Sequence, residues 1–396
     1  KPLQSAAICL VANIAGGAYG AMGIPVTVPA TLTDLDALTL GKNTSLILCL
    51  VTVIIAFLIV FMVDGFKGIK ETFPAILVSG GGFAITQFIF LNFVGPELVN
   101  VSSAIVSLLA LIVFLRFWQP KQQLTAETKE VANDKEVLTG KEVVRAWTPF
   151  ILLTLFVTLL NTGFFKQLIQ PANPKTGQAA GALNSLIFNF PYYIDGTVAR
   201  VAPIAKQPTP IKAVFSFAPF TSTTTAILLA GILTIIIFRV NSRIVISTIR
   251  ETAVELWGPI LTICSVLAFA YISTYSGMSS TLGLAFANTG KIFPLFSPIL
   301  GWIGVFLTGS VVNSGSLFAG LQSVTASQIG IDPSLLVAAN IMGGAIAKMI
   351  SPQSIAVAAA AVGLVNRDSE IFAKTIKWSV ILLVLAGVLN LLITLR

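Results

Sequence analysis

One lysine stands where lysine is costly. Lys348 follows the apolar stretch that opens at Leu335 and precedes Ser351, Pro352, Gln353 and Ser354. At mid-membrane a lysine costs at least about 2.5–3.5 kcal/mol on insertion scales. It is expected either to balance a bound carboxylate, or to snorkel to an interface or pair structurally. Ser351, Gln353 and Ser354 bring hydroxyl and amide donors to a helix break at Pro352. Such donors can bind a carboxylate and a 2-hydroxyl, or cap the backbone groups that a break frees. A second small, polar string, Thr308–Gln322 (TGSVVNSGSLFAGLQ), follows an apolar span. Its Ser310, Asn313, Ser314 and Ser316 offer similar groups, and its glycines allow a sharp turn and a close backbone approach. The string reads as the tip of a re-entrant hairpin, with an ordinary extramembrane loop as the alternative. Asn13 and Asn340 can bind a ligand or bridge broken backbone.

Other chemistries find little support. The chain has no histidine, which removes the usual physiological-pH proton carrier, a common metal ligand and the base of a serine hydrolase. No P-loop, HExxH, CxxC or GxGxxG with a distant acid occurs, so no enzyme is expected, and no cofactor or metal. Cys9, Cys49 and Cys264 sit in apolar runs without metal-ligand spacing and read as small packing residues. A proton relay would have to use carboxylates, lysine or water. Glu97, Glu251 and Glu255 lie near span ends, where a solvated interface position is the simpler reading. Tyr271 and Tyr275 read as a membrane-belt pair.

Lipid must be the solvent for the elements that hold these residues. Of 396 residues, 55% are hydrophobic and 10% charged, against about 25% charged in soluble domains. Apolar runs long enough to span are Leu46–Val63, Ser102–Phe117, Pro149–Phe165, Ser222–Phe238, Leu256–Tyr275, Ile292–Leu307 and Ile376–Leu395, with a weaker one at Phe73–Phe93. The net charge of +8 is clustered between spans, which points to membrane topology rather than nucleic acid. The charged segment Gln119–Ala146 is expected to be a cytoplasmic loop, and Arg239, Arg243 and Arg250 mark a second. The proline-rich stretch Lys166–Thr221 is then external, an irregular loop with room for an amphipathic helix. The chain begins at Lys1 without a signal-peptide pattern and reads as the interior of a longer protein.

Two broken apolar segments match. Asn13–Pro25 reads NIAGGAYGAMGIP and Asn340–Pro352 reads NIMGGAIAKMISP, an ungapped offset of 327 residues. The shared Asn, Gly-Gly, Met and Pro exceed what composition explains easily. In lipid, backbone groups must be satisfied internally, so broken helices persist only where they line a protein cavity. Paired Gly/Pro-interrupted segments in two halves point to the binding site of a secondary transporter, with half-helix N-termini suited to an anion. The same offset puts the partner of the Asn313 hairpin before Lys1. The expected fold class is an all-α polytopic membrane protein, a two-repeat transporter with broken helices and re-entrant hairpins. Residues 1–118 form the remainder of the first repeat, with its break at 13–25. The charged cytoplasmic loop is 119–146. Residues 147–396 form the second transmembrane half, with a hairpin tip at 308–322 and a break at 340–354.

Several longer strings carry a resemblance. They are Gly20–Pro25, Asp64–Thr72, Asn92–Leu98, Arg145–Phe150, Tyr275–Thr281, Gly301–Ser310 and Lys348–Ile355. Together they resemble the L-lactate permease family from about Ala6 to the C-terminus. The resemblance implies a proton symporter of L-lactate, D-lactate and glycolate in the bacterial cytoplasmic membrane, and an N-terminal section with a glycine-rich motif. Its wider class implies a transport unit moving against a scaffold that can form a homodimer. The partners expected are thus a small carboxylate, lipid and a second copy, with the proton as coupling ion and no nucleic acid. The sequence departs from the family pattern at Val311, where an aspartate is common, at Asn288, where a histidine often stands, and around Asn13–Tyr19. A sodium-coupled or otherwise different carboxylate carrier, and a carboxylate-binding channel or sensor, are the alternative readings.

Overall fold

The computed structural model describes residues 2–20, 22–120, 139–161, 186–189, 197–202, 207–210, 214–217, 223–364 and 367–395. The chain divides into two compact units, one of Lys1–Lys121 with Thr262–Arg396 and one of Gln122–Leu261.

In the first unit the chain opens with α1 (Pro2–Ala12), the single turn α2 (Ile14–Gly17) and α3 (Ile24–Thr33). Between α2 and α3 lie Gly20 and Gly23, at φ of 59° and 70°. That left-handed backbone is open to glycine at little cost. Next comes α4 (Ala37–Phe93), whose helical geometry fails at Asp64 and Gly65, where Gly65 has φ 62° and ψ −151°. There the chain reverses. The two limbs pair in a descending ladder: Phe61 with Phe66 and Phe57 with Phe73, at ring-centroid distances of 5.0 and 5.7 Å, then Ala56 against Gly80 and Thr52 with Gln87. The expected spans Leu46–Val63 and Phe73–Phe93 are these two limbs. They are followed by α5 (Val99–Phe117).

The second unit holds α6 (Gly140–Asn161), α7 (Thr223–Phe238) and most of α8 (Ser242–Tyr275). Most of the charged segment expected as a loop lies outside the described residues, as does most of Lys166–Thr221. What is described of the latter includes four short strands. β1 (Leu186–Asn189) pairs antiparallel with β4 (Val214–Phe217), and β2 (Ala199–Arg200) with β3 (Thr209–Pro210). The runs LIFN and VFSF are rich in residues that favour pleated structure.

The rest of the first unit is α9 (Met278–Ala287), α10 (Phe293–Thr308), α11 (Val311–Gln328), α12 (Pro333–Ala347), α13 (Pro352–Ala361) and α14 (Asp368–Thr394). Among them α12 is central: Leu336 to Ala347 are buried without exception. Its sequence is apolar or small on every face, the pattern of a helix enclosed on all sides. α10, α11, α14 and the first limb of α4 pack around it. Among the described residues, seven helices are long and apolar enough to cross a membrane. The fold is an all-α polytopic one, with helices interrupted where Gly and Pro predicted.

Candidate functional site

The second broken segment is a helix, a tight turn and a helix. α12 ends at Ala347; Lys348–Ile350 form one 3-10 turn; Ser351 is extended (φ −65°, ψ 137°) and starts α13. The Ser351 hydroxyl accepts from the Ser354 backbone N–H at 3.4 Å and donates to the Lys348 carbonyl at 3.2 Å. The Ser351 and Ser354 hydroxyls are 2.9 Å apart. This is a serine N-cap. Pro352, at the first helical position, has no N–H to satisfy. The cap serves Ser354, and so the one first-turn donor left open on α13 is the N–H of Gln353. Lys348 is half-buried, and no carboxylate pairs with it among the described residues.

A helical hairpin faces this break. α10 ends at Gly309, left-handed at φ 66°, and Ser310 starts α11 at once. The Ser310 hydroxyl accepts from the Asn313 N–H at 3.3 Å. Thr308 donates through its hydroxyl to the Gly304 carbonyl at 2.7 Å. The N–H groups of Val311 and Val312 are the open donors of this helix start. The two starts meet directly, because the amide oxygen of Gln353 lies against Gly309. Each carries the partial positive charge of a helix N-terminus. Open backbone N–H groups at two facing helix starts suit a small anion better than a cation.

Glycines set how closely the supporting helices approach. A Cβ on Gly301 would overlap the Asn340 carbonyl, and one on Gly343 would overlap the Pro298 carbonyl. α10 and α12 therefore touch backbone to backbone. Asn340 is fully buried and its amide donates to the Ser314 carbonyl at 3.5 Å, while the Ser314 hydroxyl donates to the Gly301 carbonyl at 3.0 Å. Ser316 is buried and donates back to the Val312 carbonyl at 2.7 Å. Asn313 is 2% exposed. The side-chain oxygens of Asn313 and Asn340 are buried without a hydrogen-bond partner.

The first broken segment crosses the second. α2 packs on α12 and on the 3-10 turn, and a Cβ on Gly17 would sit 3.5 Å from that of Ala345. Under the 327-residue offset the counterpart of Gly17 is Gly344, so nearly equivalent positions of the two copies face each other. Their chemistry differs. Where the second copy has Lys348, Ser351, Gln353 and Ser354, the first has Ala21, Ile24, Val26 and Thr27. Three of its carbonyls accept from side chains elsewhere in the unit, that of Gly16 in addition to the Gly20 N–H at 3.0 Å. The Asn100 amide donates to Gly16 O at 2.8 Å and also to Gly20 O, and the Gln87 amide donates to Ala15 O at 3.2 Å.

Of the residues singled out in the sequence, Ser310, Asn313, Lys348, Ser351, Gln353 and Ser354 belong to the two facing helix starts. Asn340, Ser314 and Ser316 lie in the helix contacts behind them. Asn13 is exposed between α1 and α2, and no hydrogen bond ties its side chain to the others. Sequence reading missed Asn100 and Gln87. Their signal was present: each is an amide side chain in or beside an apolar span, where a polar residue is costly and needs a partner.

The family model for L-lactate permease matches residues 1–395. Glycolate permease GlcA of Escherichia coli (strain K12) is 45% identical over 406 residues, which covers 99% of this chain and 71% of that protein. L-lactate permease of the same strain is 46% identical over 396 residues, covering 98% and 70%. L-lactate permease of Bacillus subtilis (strain 168) is 40% identical over 408 residues, covering 99% and 71%. A solved structure, that of the Alcanivorax borkumensis YdaH transporter, aligns over 97% of this chain and 84% of its own at 15% identity and a TM-score of 0.42.

Proposed function

The chain belongs to the L-lactate permease family, and on that premise we propose that it is a secondary active transporter driving L-lactate, D-lactate and glycolate into the cell with a proton. It is a multi-pass protein of the bacterial cytoplasmic membrane. The observation that carries the substrate reading is the meeting of two helix starts at Gln353 and Gly309. The carboxylate would lie on the open N–H groups of Val311, Val312 and Gln353, with Lys348 as counter-charge and the Gln353 amide reaching the 2-hydroxyl. Transport would be alternating access, a movement of the helices that carry the site between two states, each open to one side. No cofactor enters; the coupling proton and the carboxylate are the two cargoes.

Labelled L-lactate uptake by the full chain in proteoliposomes tests this. Accumulation that requires an inward proton gradient and is competed by glycolate is the expected result. No uptake with the gradient in place sinks the substrate assignment. The unpartnered oxygens of Asn313 and Asn340 favour one second reading, sodium coupling, since a sodium ion takes oxygen ligands of this kind. Uptake that persists at equal pH and follows a sodium gradient would select it.

A further inference from the structure

Within the second unit, a groove of about 500 Å³ runs between the first turns of α6 and the end of α7, lined by Lys141, Val144, Arg145, Thr148, Ile237 and Phe238. Its charge is one-sided. The Arg145 guanidinium stands over the Phe238 ring, 5.4 Å from the centroid, which fixes its position against α7. Glu142, the nearest carboxylate in sequence, is turned away: it accepts from the Thr139 N–H at 2.8 Å and the Thr139 hydroxyl at 2.9 Å. Among the described residues no carboxylate pairs with Lys141 or Arg145. Arg239, just past α7, is exposed and adds to the same end.

Directly beyond the cations the surface becomes apolar. Along the same face of α6, Ile151 and Leu155 are 53% and 55% exposed, and Trp147 is 46% exposed beside them. A tryptophan at this level is the usual marker of the headgroup region. Basic pockets between membrane helices on the cytoplasmic side suit lipid headgroups, because the phosphate meets the cations and the acyl chains follow the helices. The excess of Lys and Arg at this end places it on the cytoplasmic side. A soluble anion would use the cations alone and leave the apolar track unused. We infer that this groove holds the headgroup of an anionic phospholipid, with its phosphate between Lys141 and Arg145 and an acyl chain along Ile151 and Leu155.

Native mass spectrometry of the full chain in detergent, titrated with phosphatidylglycerol or phosphatidylcholine, tests the inference. Phosphatidylglycerol is expected to be retained preferentially. Removing one cation near an anionic lipid should weaken retention roughly fivefold. Lys141→Gln with Arg145→Gln should therefore weaken it about 25-fold, while Lys141→Arg with Arg145→Lys keeps it. Arg243→Gln, outside the groove, should also keep it. Equal retention in the double glutamine variant overturns the site. Loss as large in Arg243→Gln overturns it too, since diffuse charge would then suffice. Displacement of the lipid by inorganic phosphate or glycerol 3-phosphate would mark a soluble-anion site and overturn it as well. A second measurement uses the unaltered protein. Phosphatidylglycerol brominated on its acyl chain should quench the Trp147 fluorescence, defined by its loss in Trp147→Phe, more than brominated phosphatidylcholine does. Equal quenching by the two lipids would overturn the headgroup assignment.

Discussion

The side-chain oxygen of Gln353 fills the space that a Cβ would occupy on Gly309. One residue opens α13 and the other joins α10 to α11, so this contact is where the broken helix meets the hairpin turn. Gly309 is needed twice there. Its φ of 66° costs an L-residue roughly 1–2 kcal/mol, and its bare Cα leaves room for the amide. Gly309→Ala should lose more than that backbone cost in detergent unfolding, because the methyl also meets the Gln353 amide, and should reduce uptake. Adding Gln353→Ala should restore the steric part and leave the backbone part. Unchanged stability in Gly309→Ala would mean that the turn is not left-handed in solution.

Backbone contact between α10 and α12 is a sterner constraint. Gly301→Ala and Gly343→Ala each push a methyl into a carbonyl of the other helix. Overpacking a tight core costs about 1–3 kcal/mol, sometimes more. Because the obstacle is backbone, neither variant can relax by a rotamer change. Both should show lower melting temperatures than Gly231→Ala, whose Cβ would meet open space.

Ser351 holds the start of α13. Ser351→Ala removes the acceptor for the Ser354 N–H and should cost about 0.5–2 kcal/mol. Ser351→Asn, another good cap, should recover most of the stability. Uptake by the asparagine variant then reads the ligand role separately: a capped but inactive protein assigns the hydroxyl to substrate, and full activity assigns it to the cap alone.

At the first break, Asn100 donates to the carbonyls of Gly16 and Gly20. Asn100→Ala leaves the Gly20 carbonyl without that donor, at about 1–3 kcal/mol, while the Gly16 carbonyl keeps the Gly20 N–H at 3.0 Å. Asn100→Asp keeps the shape, loses both N–H donors and brings an oxygen toward two carbonyls, so it should be the less stable of the two. A melting temperature for Asn100→Asp at or above that of the wild type would remove Asn100 from the support of the break.

Lys348 stands one turn before the start of α13. Lys348→Ala should lower uptake at subsaturating L-lactate by at least about tenfold, since a charge-assisted contact is worth about 1.5–3 kcal/mol. Lys348→Arg keeps the charge on a different shape and should lose less. If Lys348→Ala matches the wild type across lactate concentrations, the lysine snorkels and takes no part in binding.

Much was determined by the sequence alone, for a physical reason that is local. Span lengths follow from the thickness of the bilayer, so the apolar runs around Leu46–Val63, Ser102–Phe117 and Ile376–Leu395 could be placed without a fold. Breaks within 13–25 and 340–354 could be placed too, because Gly and Pro act on their own backbone. The 327-residue offset matched the residues of those two breaks. Tertiary structure decided what no local rule contains. It set Gln353 on Gly309, turned Ser351 into a cap, crossed Gly17 with Ala345, and recruited Asn100 and Gln87 to carbonyls far from them in the chain. A freed carbonyl in lipid must find a donor, and the sequence states that need. Which donor reaches it depends on helix crossings set by backbone contacts such as Gly301 with Asn340, and those exist only once the helices have packed.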